Sequence, residues 1–322
     1  MEKITDKKLV DHIENTAPVV GRFAPTPSAR LHLGNLMCAL VAWLSAKSQG
    51  GRVLLRVEDL DAARCPYMGE NTKWLFDDLA YFGLTFDGEP TVQSERFSVY
   101  ANYFEQLREK ELLYPCYCSR AELHAASAPH LSDGAPIYDR RCLARLMRGE
   151  TPPAGRVPAW RVKVPDEIFG FEDVLAGHYE ENLAKRCSDF VVRRSDGVYA
   201  YQLAVVVDDG LSGVTEIVRG NDLIGSTPRQ IYLQRLFGFQ TPRYLHIPLL
   251  TDVEGRRLSK REGDGCMEEV RAKHPTSERV IGALAAALGL IPEPAPMTAP
   301  ALLPYFDPQK LSKDQICLPR SY

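Results

Sequence analysis

Residues 19–59 read VVGRFAPTPSARLHLGNLMCALVAWLSAKSQGGRVLLRVED, and their pattern decides the fold. A short apolar segment from Val19 runs into Arg22-Phe23-Ala24-Pro25-Thr26-Pro27-Ser28, where two prolines keep the chain out of helix. Leu33, Leu36, Met37, Leu40, Val41 and Leu44 then recur at the spacing of one helix face, and Gly50-Gly51 supplies the stop. Val53 to Val57 reads as a buried strand ending on Glu58, Asp59 and Asp61. Strand, helix and strand in this order predict a βαβ unit, which places ligands at the carboxyl ends of its strands.

Working outward, helical periodicity resumes over 72–82 and 97–113, and the stretch 116–165 is irregular and rich in Pro, Gly and Arg, as an inserted module would be. Ala204 to Val207, closing on Asp208-Asp209, reads as a second buried parallel strand. Thr227-Pro228 opens a helix through Phe237 that Gly238 ends. The expected architecture is α/β. Segments 19–100 and 201–250 form one Rossmann-type parallel-sheet domain, 101–200 is inserted between them, and 251–322 holds a basic loop and a short helical segment. Residues 1–18 form a polar amino-terminal extension, expected to be loosely ordered.

The chain has 322 residues, about two domains at roughly 150 residues each. With 45% hydrophobic and 25% charged residues it has the makeup of a globular protein, which excludes disorder and collagen-like structure. The apolar run from Val280 to Ile291 falls short of the ~20 residues that span a bilayer. Glu2, Lys3, Asp6, Lys7, Lys8 and Asp11 do not make a secretory signal, so the expected location is the cytoplasm, with no membrane partner. A net charge of −3 argues against bulk nucleic-acid binding, yet Arg120 to Lys163 holds eight Lys/Arg against four Asp/Glu. Arg256, Arg257, Lys260 and Arg261 make a second basic cluster. Either could meet phosphates or be a solvated face.

Two stretches carry candidate phosphate chemistry. His32-Leu33-Gly34-Asn35 opens the first helix, where free N–H groups and the helix dipole favour an anion, and glycine lets a phosphate chain approach the backbone. The plain alternative is a helix-capping histidine. Arg257-Leu258-Ser259-Lys260-Arg261 can neutralise charge building on a transferring phosphate, or can be an ordinary exposed loop.

Taken in this order, the two stretches resemble the HIGH and KMSKS motifs of class I aminoacyl-tRNA synthetases. Residues 22–28, the strand Leu55-Arg56-Val57-Glu58-Asp59 and the turn Val218-Arg219-Gly220 are similar to stretches of the glutamyl branch. The run 201–220 and the shortness of 262–322, which has no room for an anticodon-reading domain, resemble the truncated glutamyl-Q tRNA(Asp) synthetase family. Ala29, where that family has glycine, and Arg257, where it has lysine, depart from the pattern. An alanine forced to positive φ costs roughly 1 kcal/mol.

The resemblance implies activation of L-glutamate by ATP, with Mg2+, to glutamyl-adenylate, followed by transfer to queuosine in tRNA(Asp). It implies that Arg22, Phe23, Ala24, Pro25 and Thr26 line the glutamate pocket, that Glu58 holds the ammonium group, and that Tyr201 and Arg219 contact the amino acid. His32, Gly34, Asn35, Ser259 and Lys260 would bind ATP, with His32, Gly34 and Lys260 stabilising the transferring phosphate. The alternatives are ordinary ion pairs for Glu58 and Arg219 and a packing role for Tyr201. Rival functions are a glutamyl-tRNA synthetase without its anticodon domain and a catalytically silent binding protein. A monomer is expected.

Of eight cysteines, Cys116, Cys118 and Cys142 cluster, which favours a metal over disulfides. Three thiolates suit one structural zinc ion. His124 and His130 are orthodox candidates for a fourth ligand, whereas the family resemblance points to Tyr138.

Overall fold

The computed structural model describes residues 18–61, 68–119, 122, 137–251 and 266–317. The expected βαβ unit opens it. Strand β1 (Val20–Phe23) leads into the helix Leu33–Ser48 and returns as β2 (Arg52–Val57), parallel to β1, with β3 (Thr91–Val92) on the far side of β2. The return is tight: a Cβ at Gly51 would lie 2.3 Å from the Val19 carbonyl oxygen, so only glycine fits there. The helix buries Leu36, Leu40, Val41 and Leu44 completely, each worth on the order of 2 kcal/mol in apolar burial. Its core partners include Val53 and Leu55 of β2 and Leu284 and Leu302 from late in the chain.

The helical pattern over 97–113 ends at Glu109, because Glu111 (φ 55°) turns the chain into β4 (Leu113–Cys116). After the helix Arg141–Met147, β5 (Ala159–Val162) pairs antiparallel with β4. β6 (Ile168–Asp173) and β7 (Gly177–Asn182) form a hairpin, and β8 (Phe190–Arg193) pairs with β5.

One expectation fails here. Residues 204–207 are not a strand but the middle of the helix Tyr201–Leu211. Every residue from Gln202 to Asp209 is buried, so the run has no polar face to reveal a helical period, and continuous apolar runs do not distinguish a buried helix from a buried strand. The parallel strand of this half lies just beyond, as β9 (Glu216–Gly220) beside β10 (Arg243–Ile247). The two halves meet at β1, where Thr215 N–H donates to the Val20 carbonyl and Val20 N–H to Thr215 Oγ1, both at 2.9 Å. The β6–β7 hairpin, from within the expected insertion, also joins this layer: β6 runs parallel to β10, giving the order β7-β6-β10-β9. Further on, β11 (Leu250–Thr251) pairs in parallel with β12 (Ile316–Cys317).

Among the described residues no helix is long and apolar enough to cross a membrane. The amino-terminal stretch 1–17, His124, His130 and the basic loop with Ser259 and Lys260 lie outside the described residues.

Candidate active site and metal cluster

A cavity of about 690 Å³ opens at the carboxyl ends of β1, β2 and β9. Arg22 to Thr26 line it after β1, Glu58 after β2, and Arg219 and Gly220 at the end of β9. Tyr201 reaches it from the start of its helix, and His32, Gly34 and Asn35 from the amino end of the first helix. Every glutamate-pocket residue expected from sequence therefore faces one space, together with the described part of the ATP set.

His32 caps the first helix. Its Nδ1 accepts the Asn35 N–H at 3.3 Å, and Asn35 Oδ1 accepts the His32 N–H at 3.4 Å. An accepting Nδ1 leaves the ring proton on Nε2, a donor suited to a phosphate oxygen. Capping and ligand binding, weighed as alternatives from sequence, are thus compatible. A Cβ at Gly34 would come within 3.1 Å of the His32 ring, so the glycine lets the ring lie over the helix start. Ala29 is not among the positive-φ residues, and the preceding turn forms without the expected strain.

The charged floor of the cavity is built from β1, β2 and the helix Tyr201–Leu211. Arg22 Nη1 donates to the Val218 carbonyl at 3.2 Å and its Nε lies 3.3 Å from Asp209 Oδ1. Arg56 donates to Asp209 at 2.5 Å and to Glu58 at 3.0 Å. Burial alone would push Asp209 up, but the Arg56 and Arg22 guanidinium groups hold its carboxyl below the usual range. Glu58 goes the other way: burial outweighs Arg56 and raises it. Asp208, the other half of the acidic pair, accepts from Gln93 Nε2 (2.8 Å), Arg96 Nε (2.7 Å) and Tyr100 Oη (2.9 Å) and serves the packing of the helix Phe97–Glu109.

Arg219 is 5% exposed and differs from these arginines in its partners, which are all neutral. It donates to His246 Nε2 at 3.0 Å, Gln230 Oε1 at 2.8 Å and Thr227 Oγ1 at 2.7 Å. Among the described residues no carboxylate pairs with it. A buried guanidinium without a counter-ion is costly, and an anionic ligand in the cavity offsets that cost. Sequence reading gave Asp209 and Thr227 only places at a strand end and a helix start, and missed His246 and Gln230. A lone histidine in an apolar strand looks like core, and its partner Asp173 lies 73 residues away.

The cysteines converge as expected. The Sγ atoms of Cys116, Cys118 and Cys142 lie within 4.8 Å of one another, with Cys118 and Cys142 at 3.5 Å. Zinc–sulfur bonds of about 2.3 Å in a tetrahedron require sulfurs about 3.8 Å apart, so the cluster could hold a metal ion. Tyr138, buried on the same cluster, accepts the Cys142 N–H with its hydroxyl at 2.9 Å. Arg161 stacks on the Tyr138 ring at 3.8 Å and donates to Cys116 Sγ at 3.2 Å. Burial and the neighbouring thiols push Cys118 up to about 12.

Comparison with known proteins bears on what this site does. The profile for tRNA synthetases class I (E and Q), catalytic domain, matches residues 18–293. The Glutamyl-Q tRNA(Asp) synthetase of Symbiobacterium thermophilum is 44% identical over 312 residues, 93% of this chain and 95% of its own. A protein of the same name from Neisseria meningitidis serogroup C is 47% identical over 242 residues, 74% of this chain and 79% of its own. The crystal structure of a glutamate tRNA ligase from Elizabethkingia meningosepticum in complex with its amino acid has a TM-score of 0.75 at 24% identity, covering 94% of this chain and 67% of that one. At that identity the likeness speaks for the fold.

Proposed function

This chain belongs to the class I tRNA synthetases of the E and Q kind, and within them to the glutamyl-Q tRNA(Asp) synthetase family, and we propose that it activates L-glutamate with ATP and transfers the glutamyl group to queuosine in tRNA(Asp). The observation that carries the acceptor is the 44% identity to a relative of that name over nearly the whole of both chains. Support for an acidic amino acid comes from Arg219, buried with neutral partners only.

In the first step the α-carboxylate of glutamate attacks the α-phosphorus of ATP. An O–P bond forms, the bond to pyrophosphate breaks, and glutamyl-adenylate results. The nucleophile is the substrate's own carboxylate, so the protein's contribution is orientation and charge stabilisation. Glu58 holds the ammonium group. Arg22, Tyr201 and Arg219, with the wall Phe23 to Thr26, orient the carboxylates. His32 and the N–H groups near Gly34 and Asn35 meet the phosphates at the start of the first helix, and Ser259 and Lys260 of the basic stretch 257–261 supply further phosphate contacts. Mg2+ enters with ATP. In the second step a hydroxyl of the queuosine cyclopentenediol attacks the acyl carbon and AMP leaves.

Cys116, Cys118, Cys142 and Tyr138 would hold a single structural zinc, which stabilises the segment between β4 and β5. The domain reading is a catalytic unit of 19–100 and 201–250, to whose sheet the β6–β7 hairpin of the insertion 101–200 adds, with the rest of that insertion facing the tRNA and the segment 251–322 following. With ATP and tRNA as substrates, the place of action is the cytoplasm.

Charging assays test the reaction. Glutamate incorporated into queuosine-containing tRNA(Asp), with none into tRNA(Glu), supports it. The opposite pattern makes the protein a glutamyl-tRNA synthetase, and no glutamate-dependent exchange of pyrophosphate into ATP makes it a binding protein.

A further inference from the structure

Three neighbouring strands lay Asp173 (β6), His246 (β10) and Arg219 (β9) in a row beneath the cavity. His246 is 2% exposed, and its Nδ1 lies 2.6 Å from Asp173 Oδ2. Asp173 is locked in turn. Oδ1 accepts the N–H groups of Leu175 (3.0 Å) and Ala176 (2.9 Å), and Oδ2 accepts the backbone N–H of His246 at 3.0 Å. Burial would raise Asp173, but these donors hold it low, so it is the carboxylate that faces the ring. The ring proton therefore sits on Nδ1, and Nε2 presents a lone pair. Arg219 Nε donates to that lone pair at 3.0 Å, while Thr227 and Gln230 fix its terminal nitrogens and leave an N–H on each.

We infer that His246 and Asp173 are positioning residues that set the direction of the Arg219 guanidinium and so determine affinity for the acidic amino acid. The inference rests on glutamate being the substrate, as proposed above. A neutral imidazole orients the guanidinium without cancelling its charge, whereas a carboxylate in the same place would neutralise it and weaken its pull on the ligand. Protonating His246 would turn its acceptor into a donor against Arg219. Burial, with Arg219 and Arg22 nearby, lowers His246 below its ordinary value despite Asp173, so the neutral form holds at neutral pH. The charged and titratable groups around the ring are Asp173 from β6, Arg219 from β9, Arg22 from β1 and Tyr244 from β10, whose ring stacks on it at 6.0 Å. Glu58 titrates in the same cavity.

The test is glutamate-dependent exchange of pyrophosphate into ATP by the full chain, with KM measured for each substrate between about pH 5 and 8, the window in which histidine titrates. His246→Ala should raise the KM for glutamate at least ~10-fold and leave the KM for ATP unchanged, as expected for losing a charged hydrogen bond. His246→Gln, which returns an uncharged acceptor near the position of Nε2, should restore most of that loss and flatten the acid limb of the glutamate KM, apart from the share due to Glu58. The inference is overturned if the alanine variant keeps the parent KM for glutamate, if both KM values rise together, or if the glutamine variant keeps the full acid limb of the parent. Should the alanine variant not fold, the glutamine variant decides alone. An inactive parent instead refutes the proposed function.

Discussion

Oδ1 of Asp209 lies 3.3 Å from Nε of Arg22, and the same carboxylate bonds Arg56, so one buried acid steadies two arginines at the cavity floor. Asp209→Asn removes the counter-charge of Arg22 and leaves Arg56 with Glu58 and the more distant Asp208. It should cost about 3–5 kcal/mol of stability, as breaking a buried pair does, and should weaken glutamate binding through Arg22. Urea unfolding at pH 7 and glutamate KM measure the two effects. Because the folded-state carboxyl is held low, its stabilising contribution is complete above the unfolded value near 3.9 and is lost as pH falls through the folded value.

Glu58 should show the reverse linkage. Its raised folded-state value means that ionisation works against folding, so its share of stability is present in acid and disappears as pH rises through the folded value. Glu58→Gln should therefore unfold at a higher urea concentration than the parent at pH 7. The same change removes the charge offered to the substrate's ammonium group, and pyrophosphate exchange should fall at least ~10-fold. A variant that is both less stable and fully active contradicts the assignment.

Arg219→Ala and Lys260→Ala should each reduce pyrophosphate exchange by at least ~10-fold, about 1.4 kcal/mol in the barrier. They should separate on titration with substrate: Arg219→Ala acts on the glutamate dependence and Lys260→Ala on the ATP dependence.

Purified protein should carry one zinc per chain by elemental analysis. Zinc sites of this kind supply on the order of 10 kcal/mol in small modules, so Cys142→Ser or prolonged chelation should lower the unfolding temperature by several degrees or more. Tyr138→Phe keeps the ring against Arg161 but removes the proposed fourth donor. Weaker zinc retention in the presence of a chelator is its expected signature, and parent-like retention would return the fourth-ligand role to another group.

Sequence made the βαβ unit legible because Leu33 to Leu44 keep one face, the two prolines break the pattern before it, and Gly50-Gly51 breaks it after. The cavity lining was legible through short local motifs. What escaped had no local signal. The helix Tyr201–Leu211 is buried on every side from Gln202 to Asp209, so its apolar middle shows no period, and Asp208 and Asp209 point to partners more than a hundred residues away. His246 depends on Asp173 and Arg219 across two strand pairings that no single stretch announces.

The parallel pairing of Leu250–Thr251 with Ile316–Cys317 ties a late piece of chain to the rim of the cavity, since Leu250 is part of its wall. Fusion tags or trimming near residue 316 would thus tug on the cavity wall at Leu250 from a distance in sequence of some 65 residues.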